Sequence, residues 1–473
     1  MSGPTENKQS LADHECEVAI VGAGPSGLAA AALLREHGVD LTIIDEQPRA
    51  GGQLFHQYDG RELALPALNE RSGIDWRLQS TVLGMMRPSP YRVQRGRNAP
   101  HELWVRGPDG CYLLRARAVL LATGCHDRPL AFPGWTLPGV MSATDIRGLL
   151  QSQQRMPGNR VLFAGSHPLQ LVVAEQLLNA GVPVTAVVFT QQSQPARSLL
   201  RRSRQLFETA KIVSRLRRAR VPVIFGKTIV RVDGGSEVQR ATIATLSADG
   251  SIDRQQTQVF ECDRVGIYHG FLASTELARQ AGAEVHWHER AGGWLATHDE
   301  WFESSIANLF VAGEITGVDG ADAAIEKGRI AAAGMLRALC RVGDHDANKW
   351  VESAKNRLSH LLRDATIFRE FAGPPAGLDL QTMTGDTIVC PCESIKRGDL
   401  QRQLADNKHV MSTDAAKSLT RAGMGLCQGR MCGDNVARIL AAERGVPLNM
   451  LAPFQAQAPV KPVPLAVLTR PRR

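Results

Sequence analysis

The sequence predicts an α/β protein: two βαβ units interleaved along the chain, then a small helical module organised by four cysteines. Three stretches carry that expectation. The first is EVAIVGAGPSGLAAAALLREHGVDLTIIDE from Glu17, the second RVLFAGSHPLQLVVAEQLLNAGVPVTAVVF from Arg160, and the third holds Cys390, Cys392, Cys427 and Cys432. In the first two, an apolar run of strand length enters a glycine turn, then a helix pattern, then a second apolar run. ARAVLLATG (116–124) lies between them as a buried strand, and NLFVAGEITGVDGADAAIEKGRIAAAGML (308–336) follows as strand, bend and helix. A first unit whose last strand arrives after the second unit is one dinucleotide domain split by the insertion of another.

The expected boundaries are a flexible N-terminus (1–16), a first dinucleotide domain (17–155 and 266–345) and an inserted unit (156–265). A helical linker (346–383), the cysteine module (384–450) and an extended Pro-rich tail (451–473) complete the chain. A length of 473 residues exceeds one ordinary core. No apolar window is long enough to span a bilayer, and the polar start MSGPTENKQSLADHECE lacks the marks of a secretory signal. Nine widely spread cysteines argue against a disulfide framework and for reduced thiols in the cytoplasm. Much of the net charge of +8 lies in residues 196–220, where nine basic residues face only Glu208. That segment reads as a solvated helix face or a surface for an acidic partner. Nucleic acid fits least, because no aromatics beyond Phe207 alternate with the arginines.

Gly22, Gly24 and Gly27 form G-x-G-x-x-G directly after a strand and before a helix. The first two permit a tight turn and close approach to a pyrophosphate, and the third lets the helix pack on the strand. The helix N-terminus offers free N–H groups to the anion. Asp45, with Glu46 beside it, ends the second strand where a ribose hydroxyl would be met. Arg49-Ala50-Gly51-Gly52-Gln53 then follows as in flavoproteins with two dinucleotide domains, and Thr123 and Gly124 close the middle strand. Gly313 and Glu314 resemble the late strand that contacts FAD in such proteins, where Asp is usual. The helix near Ala321 would aim its N-terminus at the flavin ring.

The inserted unit keeps only the first glycine of its turn, in Gly165-Ser166-His167-Pro168-Leu169-Gln170. His167 stands where backbone should approach phosphate, and the strand end Val187-Val188-Phe189 supplies no acid. A retained scaffold or regulatory nucleotide pocket fits better than a productive NAD(P) site. No dithiol is placed for disulfide reduction, and Cys125 reads as a small packing residue. His126 and Asp127 read as structural or flavin-edge groups, and His269 as a satisfied buried histidine in preference to a proton shuttle.

Four thiolates suit either tetrahedral zinc or a 2Fe–2S cluster, and the tight C-x-C spacing favours the cluster. Gly423, Gly425, Gly429 and Gly433 leave backbone N–H groups free to donate to cluster sulfides, and Lys417, Arg421 and Arg430 would offset the negative charge of four thiolates on iron.

C-x-C followed by TRAGMGLCQGRMCG resembles the cluster domain of the bacterioferritin-associated ferredoxin type. DEQPRAGGQ, ATGCHDRPLAFPGWTLPGVMSA and LASTELARQAGAE are similar to the large electron-transfer subunit of multi-subunit amine dehydrogenases. That group includes the large flavoprotein of opine oxidase, D-hydroxyproline dehydrogenase and the hydrogen cyanide synthase flavoprotein. The resemblance implies a glutathione-reductase-like fold with FAD on Gly22, Gly24, Gly27, Asp45, Glu46, Gly52, Gln53, Thr123, Gly124, Gly313 and Glu314. It implies a 2Fe–2S cluster on Cys390, Cys392, Cys427 and Cys432. It further implies an amino-acid-oxidase-like FAD subunit that oxidises a C–N bond, a quinone or other acceptor, and a small third subunit. Membrane association would come only through partners. The rival expectations are a self-sufficient NAD(P)H-dependent reductase and a non-catalytic scaffold holding nucleotide and zinc.

Overall fold

The computed structural model describes residues 14–52, 73–86, 99–192 and 203–466, so the expectation for the N-terminus falls almost wholly outside the described residues. The basic segment 196–220 lies partly outside them; its described part contains the helix Ser203–Arg218.

His14–Val21 is the centre of the first sheet. Its residues from Val18 on are buried, as a strand covered on both faces requires. It pairs in parallel with Leu41–Ile44 on one side and Gly110–Leu121 on the other. The order across this seven-stranded sheet runs Asp75–Arg77, Leu41–Ile44, His14–Val21, Gly110–Leu121, His101–Gly107, Thr81–Met86. The late strand Leu309–Val311 returns to pair in parallel with Gly110–Leu121. The helices Pro25–Glu36 and Ala321–Ala338 cover it, packed through Ala29, Ala30, Ala31 and Ala331 to Ala333. Small residues bring them close: a Cβ on Gly328 would lie 2.1 Å from the Ser26 carbonyl oxygen.

The second sheet has five parallel strands in the order Val223–Ile224, Val184–Phe189, Val161–Gly165, Arg264–Tyr268, Val140–Ser142. It thus draws in Val140–Ser142 from upstream of residue 155. An antiparallel meander, Lys227–Gly234, Val238–Leu246 and Ile252–Glu261, is packed against it. The chain crosses between the two sheets through the short antiparallel pair Cys125–Asp127 and Phe271–Ala273.

Asp344–Ala372 is a single helix lying along Ala321–Ala338. The cysteine module follows: a short hairpin (Ile388–Cys390 with Ile395–Lys396) and the helices Arg397–Asp406, Thr413–Thr420 and Gly433–Arg444. Val389, Leu400, Leu404, Ala416, Val436 and Leu440 form its interior, which is continuous with Phe132, Trp135, Val232 and Val265 of the second unit. Trp135 Nε1 donates to the Ile388 carbonyl at 2.6 Å across that seam. Among the described residues no helix is long and apolar enough to cross a membrane.

Candidate functional site

The glycine turn is built by steric necessity. Gly22 has φ +110°, and a Cβ there would sit 2.2 Å from the Ala122 carbonyl oxygen. A Cβ on Gly27 would lie 2.0 Å from the Gly22 carbonyl oxygen, so the helix starts directly beneath the strand. Gly24 differs: its Cβ would meet only the Gly52 Cα, at 4.0 Å. It faces open space on a cavity of about 1020 Å³ lined by Gly22, Gly24, Asp45, Glu46, Gly52, Thr123, Gly124, Gly313 and Glu314. Gly24 also caps the helix Pro25–Glu36 with no side-chain partner, so the first-turn N–H groups stay available to an anion. These features fit the pyrophosphate of a dinucleotide. Gln53 lies outside the described residues.

Asp45 lines the cavity at the end of the second strand and also makes two backbone contacts. Its Oδ2 accepts the Ala23 N–H at 2.6 Å and its Oδ1 the Gln47 N–H at 2.8 Å, so it fastens the glycine turn to the second strand. Glu46 lines the cavity beside it and is ion-paired with Lys461 from the C-terminal segment. Thr123 Oγ1 donates to the Ser274 carbonyl at 2.6 Å, holding the end of the middle strand.

The extra methylene of Glu314 has a structural consequence: its Oε2 accepts the Cys125 thiol at 2.8 Å. Burial raises the Glu314 carboxyl above its ordinary value and pushes the Cys125 thiol well up. Cys125 is thus a neutral donor to a buried carboxyl. Lys327, buried beneath, donates to the Gly317 carbonyl at 3.0 Å and Asp319 at 2.7 Å. Arg369 of the linker helix reaches the same Asp319 at 2.7 Å. His126 is pushed down to about 4 by burial and is neutral in the cavity wall. His269 corrects the sequence reading: it is buried, but neither ring nitrogen has a partner among the described residues, because the ring borders the cavity.

In the second unit, the turn borders the same cavity through His167 and Leu169, with side chains where a phosphate would meet backbone. His167 is held down at about 3 by burial, its ring edge-on to Tyr268 (4.9 Å) and Phe368 (5.1 Å). Gln191 Nε2 donates to the carbonyls of Ser166 (2.6 Å) and Phe371 (2.8 Å). Phe368 and Phe371 belong to the linker helix, whose last turns therefore sit where a phosphate would approach.

The four cluster thiols converge: Cys432 lies within electrostatic reach of Cys390, Cys392 and Cys427, with Cys390 beside Cys432 and Cys392 beside Cys427. Four converging thiols fit the donor set of a [2Fe–2S] cluster. The bond from Cys432 holds the Cys390 thiol down at about 6, and Cys432 is correspondingly raised. The Gly423 and Gly429 N–H groups reach the thiol sulfurs of Cys390 and Cys427. Gly433 does not; its N–H donates to the Gly429 carbonyl as the last helix begins. Gly425 is required by contact, since its Cβ would lie 2.2 Å from that of Cys392. Arg421 and Arg430 are not free counter-charges: they bind Glu393 and Glu276, each at 2.9 Å.

Arg430 is the residue the sequence reading undervalued. It stands between Cys427 and Cys432, yet lines the dinucleotide cavity with Ser274 and Glu276. Burial alone would raise the Glu276 carboxyl, but Arg430, His126 and Arg279 overcome it and hold it at about 2. A charged pair thus joins the cluster loop to the cavity wall.

Fold and site together define a flavoprotein with two dinucleotide-binding domains and an appended iron–sulfur module. Residues 16–328 match the pyridine nucleotide-disulphide oxidoreductase family, and residues 388–442 match the BFD-like [2Fe-2S] binding domain. The chain is 30% identical to the A subunit of opine oxidase from Rhizobium meliloti over 96% of its length and 87% of that protein. It is also 30% identical to the hydrogen cyanide synthase protein HcnB of Pseudomonas aeruginosa, over 94% of its length and 97% of that protein. Its fold matches the crystal structure of L-proline dehydrogenase from P. horikoshii, with a TM-score of 0.69 and 19% identity over 97% of this chain and 80% of that one. The chain therefore belongs to the pyridine nucleotide-disulphide oxidoreductase family, in the branch of HcnB and the opine oxidase flavoprotein, and its cofactors are FAD and a [2Fe–2S] cluster.

Proposed function

We propose that this chain is the electron-relaying subunit of a heteromeric dehydrogenase whose partner, an amino-acid-oxidase-like flavoprotein, oxidises a C–N bond of an amine, opine or imino acid. A quinone or comparable acceptor and a small third subunit complete the assembly, which works in the cytoplasm. When bound, FAD takes electrons in pairs and the cluster takes them singly, so the two together convert one kind of traffic into the other. Gly22, Gly24, Glu46, Gly52, Thr123, Gly124, Gly313 and Glu314 are the flavin-side residues of this reading. Asp45 and Gly27 shape the turn, and Cys390, Cys392, Cys427 and Cys432 hold the irons.

One observation carries the proposal: Arg430, between two cluster cysteines, forms part of the dinucleotide cavity wall. The two cofactor sites thereby share a boundary. The side chains of His167 and Phe368 packed at the second unit's turn support donation by a partner rather than by NAD(P)H, and Cys125 has no second thiol beside it in the cavity lining. The test is anaerobic. NADH added to the purified chain should leave flavin absorbance unchanged. The complex recovered from the native host should contain a second flavoprotein, and addition of its amine substrate should bleach both chromophores. Rapid bleaching by NADH without a partner would favour the self-sufficient reductase instead.

A further inference from the structure

Residues 452–461 leave the cysteine module and cross to the edge of the first sheet. Their departure is pinned: Thr413 Oγ1 donates to the Ala452 carbonyl at 2.7 Å, and the Gln455 N–H donates to Asp414 at 2.8 Å. Phe454 is buried beneath the cluster loop, where Cβ atoms on Gly423 and Gly429 would come within 2.6 and 2.5 Å of its ring. Its carbonyl accepts from Arg279. Further on, the Val460 N–H donates to the Leu83 carbonyl at 2.7 Å. Leu83 belongs to Thr81–Met86, the outermost strand of the first sheet among the described residues, so the segment gives that edge a main-chain partner. Gly84 makes the room: a Cβ there would lie 2.6 Å from that of Ala458. Val460 is buried in one core with Val82 and Leu277.

This path ends in the cavity. Val460 and Lys461 line it together with Ile44, Glu46, Ser80 and Val82, and Lys461 pairs with Glu46. In a dinucleotide domain the pyrophosphate lies on the glycine turn, and the end of the second strand faces the adenosine ribose. Ile44 ends that strand here, so the C-terminal segment stands at the adenosine end. Asp45 and Glu46 both line this end of the cavity; each Asp45 oxygen accepts one backbone N–H, while Glu46 faces Lys461.

We propose that residues 458–461 complete the adenosine end of the FAD site, with Val460 as an apolar wall for the base and Lys461 holding Glu46 toward the ribose hydroxyls. The segment that seats the cluster loop through Phe454 therefore also closes on the flavin nucleotide. The inference rests on the family's FAD and is independent of which compound the complex oxidises.

The test uses the full chain with Lys461→Glu, Lys461→Met or Val460→Asp. FAD affinity is measured by flavin fluorescence on titration of the apoflavin form, ADP is used as a competitor, and iron is assayed in the same samples. Lys461→Glu should weaken FAD and ADP alike, by about tenfold or more, with iron per chain unchanged. Lys461→Met should lie between it and the parent. Unchanged FAD affinity in Lys461→Glu, or weakened FAD with unaltered ADP competition, would overturn the assignment. Lys461 is half-buried at the cavity edge with its side chain 30% exposed, so its variants are expected to fold even if Val460→Asp does not. Partner capture by the same samples is a separate readout, and its loss with FAD affinity intact would concern the relay proposal instead.

Discussion

Gly22, Gly24 and Gly27 share one motif and differ in what they are for. Side chains at Gly22 and Gly27 would collide with backbone at 2.2 and 2.0 Å, so these glycines make the turn. A Cβ on Gly24 would meet only the Gly52 Cα at 4.0 Å, so no contact within the protein requires glycine there. Gly24→Val is therefore expected to give a folded protein whose FAD affinity falls by roughly 100-fold, ~3 kcal/mol at about 1.4 kcal/mol per tenfold. Gly27→Ala should instead lower the yield of folded chain. Equal far-ultraviolet dichroism and equal flavin content in both variants would refute that division. Asp127 supplies a pH dependence. Burial raises its carboxyl to about 6 against the bonds from Ser142 and Thr144, which lower it. An unfolded aspartate titrates near ~3.9. Between those values the unfolded chain has released a proton that the folded chain keeps, so stability falls as pH rises from ~4 to about 6 and is level above. The displacement corresponds to ~3 kcal/mol. Asp127→Asn should melt progressively higher relative to the parent between pH 4.5 and 7; a constant difference across that range would show Asp127 ionised throughout.

At the scale of elements, the cluster loop depends on a residue outside it. Phe454 fills the space left by Gly423 and Gly429, at φ +90° and +87°, which L side chains rarely adopt. Removing a buried aromatic ring costs ~3–5 kcal/mol. Phe454→Ala should therefore lower iron per chain and, by releasing residues 458–461, loosen FAD as well. Cys427→Ser should abolish the cluster spectrum with flavin content intact, because it leaves that segment seated. Parallel loss of both chromophores in Cys427→Ser would mean that the cluster itself organises the flavin site. Much at this scale was readable beforehand: long apolar runs flanking glycine turns carry their own periodicity, and four thiols at fixed spacing admit few uses. The rest had no local signal. Val140–Ser142 is three residues long, too short for a pattern, and is a strand only because Arg264–Tyr268 offers it a partner. Val460 and Lys461 sit in a Pro-rich stretch whose composition says only that it is extended; their position depends on Gly84, some 370 residues earlier by the numbering.

For the whole molecule, the question is what keeps an appended module from moving independently of the flavin domains. Besides the shared apolar core, five charged residues from four separate stretches meet in one knot. Arg128 binds Asp379 at 2.9 Å and Asp434 at 3.4 Å, while Arg438 binds Asp434 at 3.0 Å and Glu289 at 2.6 Å. Arg128, Asp379, Asp434 and Arg438 are all buried. None of them was legible as a partner of the others, since ionic contacts across 300 residues leave no spacing rule in the sequence. Burial alone would raise Asp434, but Arg438 and Arg128 hold it below the usual carboxylate range. Its contribution is therefore present above ~3.9 and disappears as pH falls toward its lower folded value. Breaking a buried pair from one side strands the other charge, at ~3–5 kcal/mol. Arg438→Met leaves Asp379 and Asp434 to share Arg128 alone. It should release the cysteine module, seen as faster proteolytic cleavage near the 373–377 connection and as loss of stability of that size. Lys396→Met, which breaks an exposed pair with Asp386, should change stability by less than ~1 kcal/mol. If both variants resist protease as the parent does, the apolar seam around Trp135 and Ile388 holds the module unaided, and the ionic knot serves another purpose.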